Sequence, residues 1–350
     1  MEKSPIRFKE AYHELLLEFL WRQWSALGVS GYTKSEDPWV VDPEALLLFS
    51  TEIARLDSRL FDEILDWLFD NATWISLQRL SRMGKEYGFG SGSVLAAIAE
   101  SLALESSNQK WKVIGDRQWK RSPTSNDTQV QPLFPGLGHF GKADPIFLKW
   151  GWQRSPVRYR GLSVPPRMDK PAAFLIKLRS LFGRQSRAEI ITWLLSNESG
   201  HPAEIARQTS YFRRSVQLVL NELEVSGHIR ARRVGREKHF AILHEEWRFL
   251  AEWNKREALP FGFPQWLVWP AVFEILGRVD RVVSRPNFIA ASASLQAIEI
   301  RKAFDAPCLS GFGLPRQFQL PANLRDSVFL EAVLDQFQEF LNSSIHFQAS

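Results

Sequence analysis

Four side chains between residues 213 and 221 have the types and spacing to read the edges of base pairs. Projected at about 100° per residue, Phe212, Val216, Val219, Leu220 and Leu223 fall on one face of a helix. Arg214, Gln217, Leu218 and Asn221 fall on the opposite face, with Arg213 at its flank. In a major groove, arginine pairs with guanine edges, and glutamine or asparagine with adenine edges. A few residues on, Arg230, Arg232, Arg233, Arg236 and Lys238 form a dense cationic run. Such a run suits the phosphates beside a groove.

The elements needed to hold these residues are legible around them. Ile190, Ile191, Trp193, Leu194 and Leu195 give the stretch from Arg187 to Asn197 an apolar helical stripe. After a Gly200-His201-Pro202 break, Pro202 suits the first position of a second helix, where its missing N–H costs nothing. Ser210 is expected to cap the third helix, and Gly227 to stop it. Residues 228–234 and 239–243 alternate and are β-rich, so a hairpin is expected, turning through Gly235-Arg-Glu-Lys238.

Helix, helix, helix and basic hairpin together resemble the winged helix-turn-helix of MarR- and ArsR-type bacterial transcriptional regulators. The resemblance covers residues of about 185–243. It rests on Glu204-Ile205-Ala206, the Val216/Leu220/Leu223 register, Gly227-His228-Ile229 and the Gly235 wing. The chain departs from the family pattern at the turn, where Thr209-Ser210-Tyr211 stands in place of Leu-Gly-x-Ser. The resemblance implies a regulator that binds duplex DNA as a homodimer. Arg213, Arg214, Gln217 and Asn221 would then be groove contacts, and the wing cations phosphate contacts. A winged helix used only for protein contacts is the plainer alternative.

Charge supports the first reading. The 350 residues carry a net charge of +5, distributed unevenly. Residues 1–120 hold 14 basic and 18 acidic side chains, residues 121–255 hold 22 and 12, and residues 256–350 hold 8 and 9. An excess concentrated around the hairpin is the footprint expected of nucleic-acid binding. No apolar run reaches the ~18 residues of a membrane span, and the amino end lacks a secretory apolar region. A cytoplasmic protein is therefore expected. Cys308, the one cysteine, excludes an intramolecular disulfide and a cysteine-rich metal site.

The residue types of an enzyme do not assemble into a motif. The seven histidines form no His-x-x-x-His or His-Glu-x-x-His, and no Gly-x-Ser-x-Gly elbow occurs. Gly88-Phe-Gly-Ser-Gly-Ser93 lacks the preceding buried strand and the lysine of a phosphate loop, and reads as a plain loop. No catalytic residue, metal or cofactor is expected.

An internal echo extends the pattern. Glu63-Ile64-x-x-Trp67-Leu68-x-x-Asn71 repeats as Glu189-Ile190-x-x-Trp193-Leu194-x-x-Asn197, and Lys112–Gln118 parallels Arg232–Lys238. Residues 58–120 are accordingly expected to form a second, divergent winged helix. Its third helix, Val94–Leu104, has no Arg or Lys and points to a structural or pairing role.

The expected organisation is mainly α. It comprises an N-terminal helical domain (1–120), a Pro-rich basic linker (121–171), the winged helix (172–255) and a helical C-terminal dimerisation or effector domain (256–350). The linker, with Trp150, Trp152 and Tyr159 among Lys149, Arg154, Arg158 and Arg160, suits either a strap beside DNA or a connector pinned to a domain surface. Two function classes follow. One is sequence-specific DNA binding by a transcriptional regulator, acting as a repressor. The other is a tandem winged-helix adaptor or antitoxin-like component in a multi-protein complex, with a protein partner.

Overall fold

A computed structural model describes residues 5–31, 37–105, 108–114, 130–137, 141–250, 262–305 and 318–342. The described chain is mainly helical. Its first part holds α1 (Pro5–Ala26), α2 (Pro43–Ile53), α3 (Ser58–Asn71), α4 (Leu77–Glu86) and α5 (Gly92–Glu105). A connector follows with β1 (Gln131–Pro132), α6 (Pro145–Lys149) and β2 (Trp152–Gln153). Then come α7 (Phe174–Phe182), α8 (Ser186–Ser196), α9 (Pro202–Thr209), α10 (Arg213–Val225), β3 (Arg230–Val234) and β4 (Glu237–Ala241). The chain closes with α11 (Trp269–Val283), α12 (Pro286–Ala290), α13 (Ala293–Phe304) and α14 (Asp326–Asn342). None of these helices is long and apolar enough to cross a membrane.

Local chemistry fixes the helix starts. The Asp42 side chain accepts from Ala45 N at 3.1 Å and Pro43 occupies the first turn of α2, while Asp57 takes the Arg59 and Leu60 N–H groups of α3. Ser76 and Ser292 cap α4 and α13 in the same way.

Packing divides the chain into two cores, and the division corrects the expected domain plan. Residues 269–342 do not form a C-terminal core of their own. They share one core with α1–α5: Trp269 stacks with Phe273, packs edge-on to Trp39 and contacts Phe19. The Tyr12 hydroxyl donates to Leu276 O at 2.7 Å, and α14 lies along α1. The apolar stripe of the last helix is legible locally, but the partner that covers it lies some 300 residues away and leaves no local mark. The second core joins α7–α10 and the β3–β4 hairpin to Val40, Phe263 and Trp266. The chain leaves the hairpin through a 3₁₀ segment over His244–Leu250.

The connector is pinned to the body. Trp150 Nε1 donates to Glu100, Trp152 Nε1 to Ser93 and the Tyr159 hydroxyl to Asp70. Asp66 accepts from four successive backbone N–H groups, those of Arg160 to Ser163, at 2.6–3.3 Å. Burial raises the Asp66 carboxyl, but these four donors outweigh it and hold the group below its ordinary value. The Lys149, Arg154 and Arg160 cations meet Glu100, Asp62 and Glu63. Of the two expectations for this stretch, these contacts are those of a pinned connector. Residues 121–129 of the linker lie outside the described residues.

In the region of the internal echo, α3, α4 and α5 follow one another as three helices. The strand-forming start expected for a first wing is instead a helical turn at 112–114, and 115–120 lie outside the described residues. Two local features recur: Asn71 Nδ2 donates to Trp67 O at 3.1 Å, and Asn197 Nδ2 to Trp193 O at 2.7 Å. The loop 88–93 is packed, with Gly88 N–H donating to the buried Glu274 at 2.6 Å and Ser91 N–H to Thr51.

The two cores meet at a buried ionic cluster. Arg79 of α4 donates through Nη1 to Asp42 and Glu44 at 2.6 and 2.7 Å, and through Nη2 to Asp42. Its Nε reaches Thr209 O at 2.8 Å, at the end of α9. Arg179 of α7 grips Glu44 with both terminal nitrogens at 2.7 Å and Glu189 of α8 through Nε at 3.0 Å, and also reaches Trp74 O. All five side chains are essentially inaccessible to water. Burial alone raises the Glu44 carboxyl, yet Arg179, Arg79 and the Ser76 N–H together hold it below the ordinary carboxylate value.

Removing one partner from such a cluster strands buried charge, so Arg179→Ala is expected to cost about 3–5 kcal/mol in urea unfolding. A loss no larger than that of an exposed substitution contradicts this role. Because the folded carboxyl is depressed, Glu44 contributes fully above the unfolded carboxyl pKa and loses that contribution as pH falls through the folded one. The stability gap between the native chain and Glu44→Gln should therefore shrink at acid pH and stay constant near neutrality.

Candidate nucleic-acid interface

Helices α8, α9 and α10 pack around Ile190, Trp193, Leu194, Ile205, Val216, Leu220 and Leu223, all buried. Pro202 occupies the first turn of α9, and the His201 ring accepts from Ala203 N through Nδ1, so this histidine acts as a helix cap. Gly200 pairs with Phe240 in both directions at 2.9 Å, which fastens the hairpin to the helices. The indole of Trp193 crosses Gly200 so closely that a Cβ there would lie 2.3 Å from the ring. Only glycine permits this approach.

The start of α10 differs from expectation. Ser210 does not cap it: the residue closes α9 in the left-handed region, with φ 57°, and is buried. The chain needs a tight reversal between α9 and α10, and Ser210 takes the backbone position that a glycine would fill more easily. Phe212 precedes α10 with no side-chain cap and is 58% exposed, so it leaves the expected apolar face. Its ring lies under the Arg82 guanidinium of α4, 4.2 Å from the centroid. Val216, Leu220 and Leu223 are buried as expected and Val219 partly so.

At the other end, Gly227 adopts φ 78°, its N–H bonds Glu224 O, and His228 N–H bonds Leu223 O, both at 3.0 Å. This paired pattern satisfies the last carbonyls of α10. The hairpin is tighter than expected: β3 and β4 pair from Arg230↔Ala241 to Val234↔Glu237, leaving Gly235-Arg236 as a two-residue turn. Glycine, with φ 61°, takes its first central position, as a II′ turn favours.

The outward face of α10 carries Arg213, Arg214 and Asn221, all exposed, with Gln217 half-buried beside them. Gln217 Nε2 donates to Asn221 Oδ1 at 2.9 Å, which aligns the two amides along one line of the helix. Exposed Leu218 shares this face. On the hairpin Arg230, Arg232, Arg233, Arg236 and Lys238 are all exposed. Their roles are not equal: Lys238 pairs with Glu224 and sits 5.0 Å over the Phe240 ring, tying the hairpin to α10. Glu237 is the only carboxylate on the two strands. The arrangement offers planar donors and amides on one helix face, flanked by a ribbon of cations.

Arg82 was not legible as a neighbour of this surface. It belongs to α4, over a hundred residues earlier, and only the docking of the two cores brings it to Phe212.

Set against family models, curated proteins and solved structures, the chain matches none.

A left-handed backbone costs an L-residue roughly 1–2 kcal/mol that glycine escapes, and the Ser210 hydroxyl is buried without a hydrogen-bond partner among the described residues. Ser210→Gly is therefore expected to raise the unfolding free energy by up to about 1 kcal/mol, part of the gain being offset by the freer unfolded chain. A lower denaturation midpoint with an unchanged slope would reject this account.

Proposed function

We propose that residues 186–243 form a winged helix-turn-helix that binds duplex DNA, and that the protein is a sequence-specific transcriptional regulator acting as a repressor. One observation carries the reading. Arg214, Asn221 and the half-buried Gln217 lie on the side of α10 opposite its buried Val216, Leu220 and Leu223, with exposed Arg213 at the flank, beside five exposed cations of a hairpin. In this reading α10 enters the major groove, Leu218 meets thymine methyl groups, and Arg230, Arg232, Arg233, Arg236 and Lys238 hold phosphates. The pairing of Lys238 with Glu224 makes it the weakest of the five phosphate ligands.

The reading includes a homodimer on a palindromic site, as two-fold proteins require, and a cytoplasmic location. It also includes residues 58–120 as a divergent second copy. The matched Asn-to-Trp hydrogen bonds of α3 and α8 support that relation, as does the pairing of Glu63 and Glu189 each with an arginine. With Val94–Ala99 of α5 buried, that copy has no surface for a groove and serves as a docking platform.

An adaptor role is the second reading, favoured by the exposure of Leu218 and Val225 on α10 and of Phe212 just before it. A titration on a duplex from upstream of the protein's own gene, against a scrambled duplex at low and near-physiological salt, separates the two. A regulator prefers the cognate duplex by about 10³ or more. Equal affinities that collapse with salt reject specific binding.

With the cognate duplex in hand, Arg214→Ala should cost about 1–3 kcal/mol and relax preference at one base pair. Equal loss on every sequence makes it a phosphate contact instead. Arg236→Ala should weaken all duplexes alike and lower the salt slope by about one.

A further inference from the structure

We propose that the cleft between α3 and the connector residues 154–160 binds the phosphate group of a small phosphorylated molecule. The cleft has a volume of about 450 Å³ and is lined by Ser58, Arg59, Asp62, Arg154, Arg158 and Arg160 among others. That volume falls in the roughly 300–1,000 Å³ range of small-molecule sites. Four guanidinium groups thus surround one opening that holds a single lining carboxylate.

The four arginines differ in a way that suits an anion. Arg154 is 3% exposed, boxed by the rings of Phe61, Phe134 and Phe147 at 5.9, 5.5 and 5.2 Å. Its Nε donates to Ser155 O at 2.8 Å and its Nη2 lies 2.8 Å from Asp62 Oδ1. Its buried Nη1, however, has no hydrogen-bond partner among the described residues. A guanidinium held rigid by aromatic walls, with one nitrogen left unpartnered, places a fixed positive charge in the wall of the cleft. Arg160 pairs with Glu63 at 2.6 Å, leaving its exposed head at the rim. Arg59 and Arg158 are exposed and have no carboxylate partner among the described residues; Arg59 lies over the Trp21 ring at 5.4 Å.

Asp57 does not oppose an incoming anion strongly, because its carboxylate already accepts from Arg59 N, Leu60 N and Trp21 Nε1. Asp62 does oppose it. The site is therefore cationic with one built-in restraint, and it stands on α3 and the connector rather than on the α10 surface, so it is independent of the DNA reading.

The test is calorimetric titration of the full chain with pyrophosphate, inorganic phosphate and AMP, with a duplex as a separate arm. Saturable binding at one site per chain is expected. Arg158→Ala, an exposed change that should leave the melting curve unaltered, should weaken it by about tenfold. Asp62→Asn should tighten it, and Arg236→Ala on the hairpin should leave it unchanged. No saturable binding by any of the three probes overturns the proposal, as does equal loss from Arg158→Ala and Arg236→Ala. If Arg158→Ala weakens duplex binding while none of the small probes binds, the cleft is part of a nucleic-acid surface and the small-molecule assignment fails.

Discussion

Two guanidinium groups and three carboxylates, shut away from water where the two cores touch, constrain everything else in the molecule. Charges in such a place are stable only when each is met by close partners, because the interior offers no solvent to compensate an error. Glu44 stands at the centre, gripped by Arg179 from α7 and Arg79 from α4, while Asp42 and Glu189 complete the ring. The same groups also build secondary structure. Asp42 caps α2, and Glu44 accepts the N–H of Ser76, which caps α4. Interface and helix starts of the first core are therefore determined together, and sliding one core on the other would break those caps.

That rigidity bears on how the α10 surface can work. Thr209 O, at the end of α9, is a ligand of Arg79, so the turn leading into α10 is fixed from the platform side. Arg82, one helical turn beyond Arg79, reaches over Phe212 at the start of α10. The residues that would enter a groove are thus aimed by the helical body as well as by their own three-helix unit. In the proposed reading, a surface held in a single orientation favours discrimination over the tolerance of a freely tethered one.

The sequence showed the elements better than their partners. Helix and hairpin patterning around 187–243 was legible because the apolar period, Pro202 and Gly227 act within a few residues. What failed was decided at long range or by competing local uses of one residue. Ser210 has the chemistry of a cap, yet the backbone reversal between α9 and α10 claimed it in the left-handed region. Phe212 has the period of a core residue, but it stands just before the helix and stacks under Arg82 instead. Most of all, the apolar stripes of α11 and α14 looked like a domain of their own. Only the tertiary structure shows them completing the core begun by α1, because an amphipathic stripe specifies that it will be covered and not by what.

The uneven charge of the chain has two physical origins, and they should be separated. The acidic residues 1–120 and the basic residues 121–255 are in part each other's partners: Glu100, Asp62, Glu63 and Glu44 meet Lys149, Arg154, Arg160 and Arg179. Much of the basic excess is therefore engaged within the molecule, where it fastens the connector and locks the cores, and offers little field to a distant polyanion. Among the cations that remain outward are those of α10, of the β3–β4 hairpin and of the cleft beside α3. A long-range attraction summed over the whole chain would overstate the pull on DNA. In the proposed reading, short-range contacts from a few arginines supply the affinity, and contacts of that kind carry sequence discrimination when they reach base edges.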